Sequence, residues 1–280
     1  MNHFIDSLID LAIAEDIGDG DHSSLACIPI DAVGKVQLLV KEDGVLAGVE
    51  ISKRILKKID PDFEIYILLN DGARIKHGDI VMTIRGRTRS ILQAERLVLN
   101  FMQRMSGIAT QTARYAELIK DLPTRVLDTR KTTPGMRHIE KLAVVTGGGM
   151  NHRMGLYDMV MLKDNHVDFA GGIENAILKT NRYLKEKNKT LKIEIEVRNF
   201  EELKEVLCVG NVDRIMLDNF TVENTKKAVE MIAGRYETES SGGITLETIR
   251  AYAECGVDFV SVGALTHHIS SLDLSLKAVN

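Results

Sequence analysis

The segment Leu127-Asp128-Thr129-Arg130-Lys131-Thr132-Thr133-Pro134-Gly135 sets two adjacent cations just ahead of a Pro-Gly turn. By itself such a pair reads equally well as a solvated turn. Further along comes Gly147-Gly148-Gly149-Met150-Asn151-His152-Arg153. Three consecutive glycines are entropically expensive in a plain connection, and they let backbone approach a ligand closely. A second cationic pair, His152-Arg153, adjoins them, and Lys163 follows in Lys163-Asp164-Asn165-His166. Arg130, Lys131, His152, Arg153 and Lys163 together describe a pocket for a ligand carrying several carboxylates or phosphates.

Glu196 and Asp218 supply the opposite sign, 22 residues apart. At the ends of successive strands they could share one divalent cation. Oxygen-only ligation with few protein ligands suits Mg²⁺ bridging to a substrate phosphate better than it suits zinc. The competing reading is an ion pair with a nearby Arg or Lys. Ser240-Ser241-Gly242-Gly243-Ile244-Thr245 and Val262-Gly263-Ala264-Leu265-Thr266 are small-residue turns whose backbone N–H groups could hold a phosphate. His267 and His268 follow directly, as hydrogen-bond donors to a phosphate or as surface residues.

These residues must be positioned by regular elements. Short strands are expected at Arg125–Arg130, Met159–Lys163, Leu191–Val197, Arg214–Asp218, Tyr236–Ser241 and Phe259–Gly263, with helices near 136–146, 171–187, 200–207, 221–232 and 245–255. Alternating βαβα implies a parallel sheet with crossover helices. Almost every strand ends on a residue with chemistry, at Arg130, Lys163, Glu196, Asp218, Ser241 and Gly263, spaced 33, 33, 22, 23 and 22 residues apart. Glu194 and Glu196 share one strand face, and Ile193, Ile195 and Val197 the other. Charges gathered at C-terminal strand ends argue for a (β/α) barrel rather than an open sheet with a single switch point.

Upstream, an acidic amphipathic helix over Met1–Ile17 precedes strands at Val36–Val40, Phe63–Leu69 and Asp79–Arg85, a helix at Gly48–Ile59, and a long helix from Ser90 to Leu122 expected to break at Ser106-Gly107. The fold class is therefore α/β. A TIM-like barrel, incomplete at six to seven strands, spans 106–269, and an N-terminal α/β sandwich spans 1–105, with the tail at about 270–280 packing back on it.

The 280 residues are 44% hydrophobic and 27% charged, with formal net charge −4, so nucleic acid is not expected as a partner. Three isolated cysteines, no signal-like positive N-terminus and no apolar run of membrane-spanning length point to a cytoplasmic protein without membrane association.

Asp128 to Gly135, Gly147 to Arg153 and Lys163 to His166 are similar to the motifs of the quinolinate phosphoribosyltransferase family, the carboxylating nicotinate-nucleotide pyrophosphorylases. The resemblance extends, in order, to Glu15-Asp16-Ile17-Gly18, Lys41-Glu42-Asp43-Gly44, Asn100 to Gly107, Leu217-Asp218-Asn219 and the Ser-Gly-Gly segment. It implies phosphoribosyl transfer from 5-phosphoribosyl-1-pyrophosphate to quinolinate with decarboxylation, in NAD biosynthesis. It also implies a homodimer with shared sites, and leaves higher assembly open. Arg104, otherwise a polar position on a long helix, matches the arginine that completes the neighbour's site. Arg130, Arg153, His152 and the partner chain's copy of Arg104 would hold the quinolinate carboxylates, with Thr129 also at the substrate. Lys131, Lys163, Ser241, Gly242, Gly243, Gly263 and His267 would hold the phosphoribosyl donor. Glu196 and Asp218 would bind its ribose and the Mg²⁺-pyrophosphate, and Lys131, Lys163, Glu196 and Asp218 would be catalytic. One rival is a related transferase-like protein of the molybdenum-transport type, disfavoured by Asn151-His152-Arg153 and Arg104. The other is a non-catalytic anion-binding barrel, disfavoured by Glu196 and Asp218.

Overall fold

A computed structural model describes residues 2–279 of the chain. The elements run α1 (Asn2–Ile17), α2 (His22–Cys27), β1 (Val33–Val40), β2 (Gly44–Val45), α3 (Val49–Ile59), β3 (Glu64–Ile67), β4 (Arg74–Ile75), β5 (Ile80–Arg87) and α4 (Thr88–Leu118). They continue through β6 (Arg125–Leu127), α5 (Arg137–Thr146), β7 (Val160–Leu162), α6 (Asp164–Ala170), α7 (Ile173–Glu186), β8 (Ile193–Val197) and α8 (Phe200–Val209). The last are β9 (Arg214–Asp218), α9 (Val222–Ile232), β10 (Glu237–Ser241), α10 (Ile249–Ala253), β11 (Phe259–Ser261), α11 (Ala264–His267) and β12 (Leu274–Ala278). Met1, the first residue of the expected N-terminal helix, and Asn280, the last of the expected tail, lie outside the described residues.

The chain forms two units. One holds the residues up to Ala113, Thr132–Gly148 and those from Ala264 on; the other holds Arg114–Lys131 and Gly149–Gly263. The first unit is built on an antiparallel sheet in the order β12-β1-β5-β3. Val36, Leu38 and Val40 alternate inward along β1, and the tail returns to pair with it, Leu38 facing Leu276. In α3, Val49, Ile51, Ile55 and Leu56 are buried. Its first turn is satisfied from outside the helix, because the Val49 N–H donates to Asp71 Oδ1 at 2.8 Å.

Helix α4 does not break at Ser106-Gly107. The two residues serve close packing instead. Ser106 Oγ accepts from Ala47 N at 2.9 Å and donates to Ala47 O at 3.1 Å. A Cβ on Gly107 would lie 2.1 Å from the Ser270 carbonyl oxygen. Small residues read as a break are here the places where another backbone touches the helix.

The second unit is a six-stranded parallel sheet in the order β6-β11-β10-β9-β8-β7. Consecutive strands are neighbours from β7 to β11, and β11 then pairs with β6, Val260 facing Val126. The last strand hydrogen-bonds to the first, and β6 and β7 remain the two edges of the order, which is the winding of an incomplete TIM-like barrel. Beneath the helices, Ile193, Ile195, Val197, Ile215 and Leu217 form one apolar cluster with Ile177, Leu203, Val206, Ala228 and Ile232. The stretch expected as a single helix at 171–187 is preceded by a short α6, and Gly171 and Gly172, with φ of +87° and +115°, separate it from α7. The expected helix at 245–255 is reduced to α10, and the first barrel strand ends at Leu127 rather than Arg130.

Candidate active site

Because all six strands of the second unit are parallel, residues at or just beyond their C-terminal ends share one end of the sheet. Thr129, Arg130 and Lys131 follow β6, and Lys163 follows β7. Glu196 is in β8, Asp218 and Ser241 close β9 and β10, Gly242 and Gly243 continue from Ser241, and Gly263 lies just past β11. His152 and Arg153 reach the same end through the segment after α5. Met150 N donates to Val126 O at 2.8 Å, Asp128 N to Met150 O at 3.1 Å, and His152 N to the buried Asp128 Oδ1 at 2.8 Å.

Arg153 is half-buried, and its guanidinium donates to the Met159 carbonyl at 3.3 Å. Burial, reinforced by the positive charge of Arg130, pulls its pKa below the usual arginine value. Glu194 and Asp158 act in the opposite direction on the same guanidinium.

His152 faces the other way, into the barrel. Its side chain is 4% exposed, and Nε2 lies 3.0 Å from Glu194 Oε2 and 3.4 Å from Glu239 Oε2. Both carboxylates are wholly buried. Arg214 completes the group, with Nη1 3.1 Å from Glu239 and 3.8 Å from Glu194, Nη2 3.0 Å from Glu237, and its Cζ 4.0 Å from the centre of the Phe259 ring. Burial first, then the neighbouring Glu239 charge, pushes Glu194 up to about 7. Burial lowers His152 while the two carboxylates raise it, to about 9 on balance. Nδ1 accepts the Arg153 N–H at 2.7 Å, and Nε2 lies within ion-pair distance of both carboxylates without a hydrogen bond to either. His152, Glu194 and Glu239 could converge on a metal ion, but Arg214 already supplies a fixed cation at the same carboxylates.

Glu196 Oε2 accepts from Lys163 Nζ at 3.2 Å. Asp218 is half-buried and accepts at Oδ2 from Asn219 Nδ2 at 2.7 Å. Asn219 is itself wedged against Gly242: a Cβ at Gly242, whose φ is +102°, would lie 2.1 Å from Asn219 Oδ1. The glycine after β10 thus makes room for the amide that orients the carboxylate at the end of β9. Glu196 and Asp218 offer only hard oxygen atoms, a donor set that fits Mg²⁺.

Arg104 and His267 belong to the first unit. Arg104 donates through Nε at 3.0 Å and Nη2 at 2.6 Å to Glu140 Oε1, and through Nη2 at 2.6 Å to Thr133 Oγ1. His267, in α11, packs edge-on against the ring of His268. The triple glycine also has a structural use. A Cβ on Gly147 would meet the Ala109 carbonyl at 2.3 Å, and Gly148 has a φ of +91°. Sequence reasoning passed over Arg214, Glu239 and Glu140, and took Glu194 only as sharing a face with Glu196. The available signal was the charged residues of β8, β9 and β10, where Glu194 faces Arg214 and Arg214 faces Glu237.

Two models of the quinolinate phosphoribosyl transferase family match the chain, the N-terminal domain over residues 21–106 and the C-terminal domain over 108–277. The chain belongs to this family. Among the members it resembles, a chloroplastic carboxylating nicotinate-nucleotide pyrophosphorylase of Arabidopsis thaliana is 47% identical over 97% of this chain and 82% of its own length. The decarboxylating quinolinate phosphoribosyltransferase 1b of Nicotiana tabacum is 44% identical over 96% of this chain and 81% of its length. Among solved structures, NadC from Streptococcus pyogenes superposes with a TM-score of 0.93 at 40% identity, covering 100% of this chain and 99% of that one.

Proposed function

We propose that the chain is a decarboxylating quinolinate phosphoribosyltransferase, transferring the phosphoribosyl group of 5-phosphoribosyl-1-pyrophosphate to quinolinate in NAD biosynthesis. The observation that carries this reading is the match of both family domains along the chain, with Arg130, Arg153 and Lys163 gathered at the C-terminal end of the parallel strands. The two arginines suit a ligand with two adjacent carboxylates.

In the reaction the pyridine nitrogen donates its lone pair to ribose C1, and the C1–O bond breaks with its electrons leaving on pyrophosphate. Lys131 and Lys163 take up the negative charge that develops there. Glu196 and Asp218 hold the ribose hydroxyls and face the positive character of the ring carbon. They would also hold Mg²⁺, which when bound supplies charge neutralisation on the pyrophosphate. Ser241, Gly242, Gly243, Gly263 and His267 are assigned to the donor's phosphates, and Thr129 to the substrate. The ring nitrogen, now cationic, accepts the electron pair released when the 2-carboxylate departs as CO₂, and a proton from solvent completes nicotinate mononucleotide. Positioning and electrostatics account for most of the rate.

In the same reading the protein is a homodimer in which Arg104 of one subunit completes the site of the other. Glu140, wholly buried, holds that arginine in place. A cytoplasmic location belongs to the proposal as well. It is supported by Cys27, Cys208 and Cys255, all unpaired, and no helix among the described residues is long and apolar enough to cross a membrane.

Arg153→Ala tests the assignment. Loss of a charged hydrogen-bonding group should weaken quinolinate binding about ten- to a hundredfold and leave binding of the phosphoribosyl donor nearly unchanged by calorimetry. Equal losses for both ligands would refute it.

A further inference from the structure

Asp218 is the last residue of β9, and Ser241, the last of β10, faces it in the parallel register. A carboxylate and the small-residue turn Ser241-Gly242-Gly243 therefore end side by side. Asn219 joins them. Its Nδ2 donates to Asp218 Oδ2 at 2.7 Å, and its backbone N–H donates to the Ser241 carbonyl at 2.9 Å. An ionised carboxylate can only accept, so the amide must turn its nitrogen toward Asp218 and its oxygen away. That oxygen lies where a side chain at position 242 would be: a Cβ on Gly242 would come within 2.1 Å of Asn219 Oδ1 and 3.0 Å of the Asn219 backbone nitrogen.

The backbone at Asn219 is adapted to this bridging. Its φ of +55° lies in the left-handed region, which asparagine visits more readily than most residues that carry a side chain. Directly after Asp218, that conformation ends the strand and lets one short side chain reach the preceding carboxylate and the neighbouring turn at once. The barrel core does not depend on the contact. Asp218 is half-buried and Asn219 exposed, while the residues on either side, Leu217 and Phe220, make the buried packing. A hydrogen bond at so exposed a place adds little to folding, and its consequence is the direction it gives to a charged group.

We propose that Asn219 is a positioning residue for the phosphoribosyl donor. It holds Asp218 by one oxygen and ties that carboxylate to the Ser241-Gly242-Gly243 turn, so that the groups for the donor's ribose and for its phosphate keep a fixed separation. This rests on the reading of Asp218 and of the Ser-Gly-Gly turn as ligands of the donor. It brings a residue that touches no substrate into the set that determines donor affinity.

Asn219→Gly keeps the left-handed backbone and removes the amide. The calorimetric Kd for 5-phosphoribosyl-1-pyrophosphate with Mg²⁺, in the absence of quinolinate, is expected to rise about five- to tenfold, and the donor KM with it. The quinolinate Kd and kcat should stay within about twofold of wild type. Because the effect is exerted through Asp218, Asn219→Gly added to Asp218→Ala should cost no more than Asp218→Ala alone. Asn219→Ala also removes the amide, but alanine tolerates the left-handed backbone less well. It should match Asn219→Gly in donor Kd while unfolding at lower urea. A donor Kd unchanged in Asn219→Gly, an equal loss for quinolinate, or losses that add in the double variant would overturn the proposal. So would a donor affinity kept in Asn219→Gly and lost only in Asn219→Ala, which is the mark of a structural role. Asp218→Ala separates this failure from that of the underlying reading. Donor binding insensitive to Asp218→Ala counts against Asp218 as a donor ligand, whereas a loss there beside an insensitive Asn219→Gly counts against the positioning role alone.

Discussion

Asp60 follows the last turn of α3 with a side chain 1% exposed, and Arg87 donates to it from Nε at 2.8 Å and from Nη2 at 2.7 Å. Chiefly through those Arg87 bonds, its carboxyl is lowered from 3.8 to about 2. A folded pKa below the unfolded one means that the pair stabilises the protein fully above about pH 4, and that this stability is lost as pH falls through about 2. Asp60→Asn should therefore cost about 2 kcal/mol at neutral pH and flatten the acid limb of the stability curve. Urea unfolding midpoints between pH 7 and pH 2 check this, and an unchanged acid limb would contradict it. The same pairing logic runs through the other buried carboxylates: Glu140 is met by Arg104, and Glu194 and Glu239 by Arg214. Removing one member of such a set leaves an uncompensated buried charge, which costs about 3–5 kcal/mol.

At the scale of elements, α4 carries the clearest test. Its Gly107 faces the Ser270 carbonyl so closely that a methyl group would sit 2.1 Å from the oxygen. Since the obstacle is backbone, Gly107→Ala should destabilise by about 1–3 kcal/mol, although alanine is the better helix former. A gain in stability by urea unfolding would show that residues 270–271 can move away. Hydrophobic periodicity alone registers a Ser-Gly pair in a helix as a weak point, because it does not record what packs against it. The residues at and just beyond the C-terminal strand ends were legible for the opposite reason. Arg130, Lys163, Glu196, Asp218, Ser241 and Gly263 recur at the interval of a β-α unit, and that spacing is a property of the sequence alone. Strand β12 lay hidden because its pairing with β1 joins the two ends of the chain. The His152–Glu194–Glu239–Arg214 group was hidden likewise: it needs residues from three strands and one loop, and only strand order and register bring them together.

For the whole molecule, two family domains match nearly end to end, and the barrel unit gathers cations and carboxylates at one end of six parallel strands. The cations at Arg130, Lys131, Arg153 and Lys163 suit a substrate and a co-substrate that are both anionic, while Glu196 and Asp218 fit a ribose and a magnesium ion beside them. No acid or base from the protein is required to begin the chemistry, which makes the identity of the acceptor the decisive question. Quinolinate, with two carboxylates, should satisfy both arginines; nicotinate, with one, should not. The direct measurement is turnover with 5-phosphoribosyl-1-pyrophosphate and Mg²⁺, following nicotinate mononucleotide and CO₂ with each acid in turn. Nicotinate mononucleotide and CO₂ in equal amounts from quinolinate, and nothing from nicotinate, is the predicted result. Product from nicotinate, or none from quinolinate while the phosphoribosyl donor still binds, would contradict it.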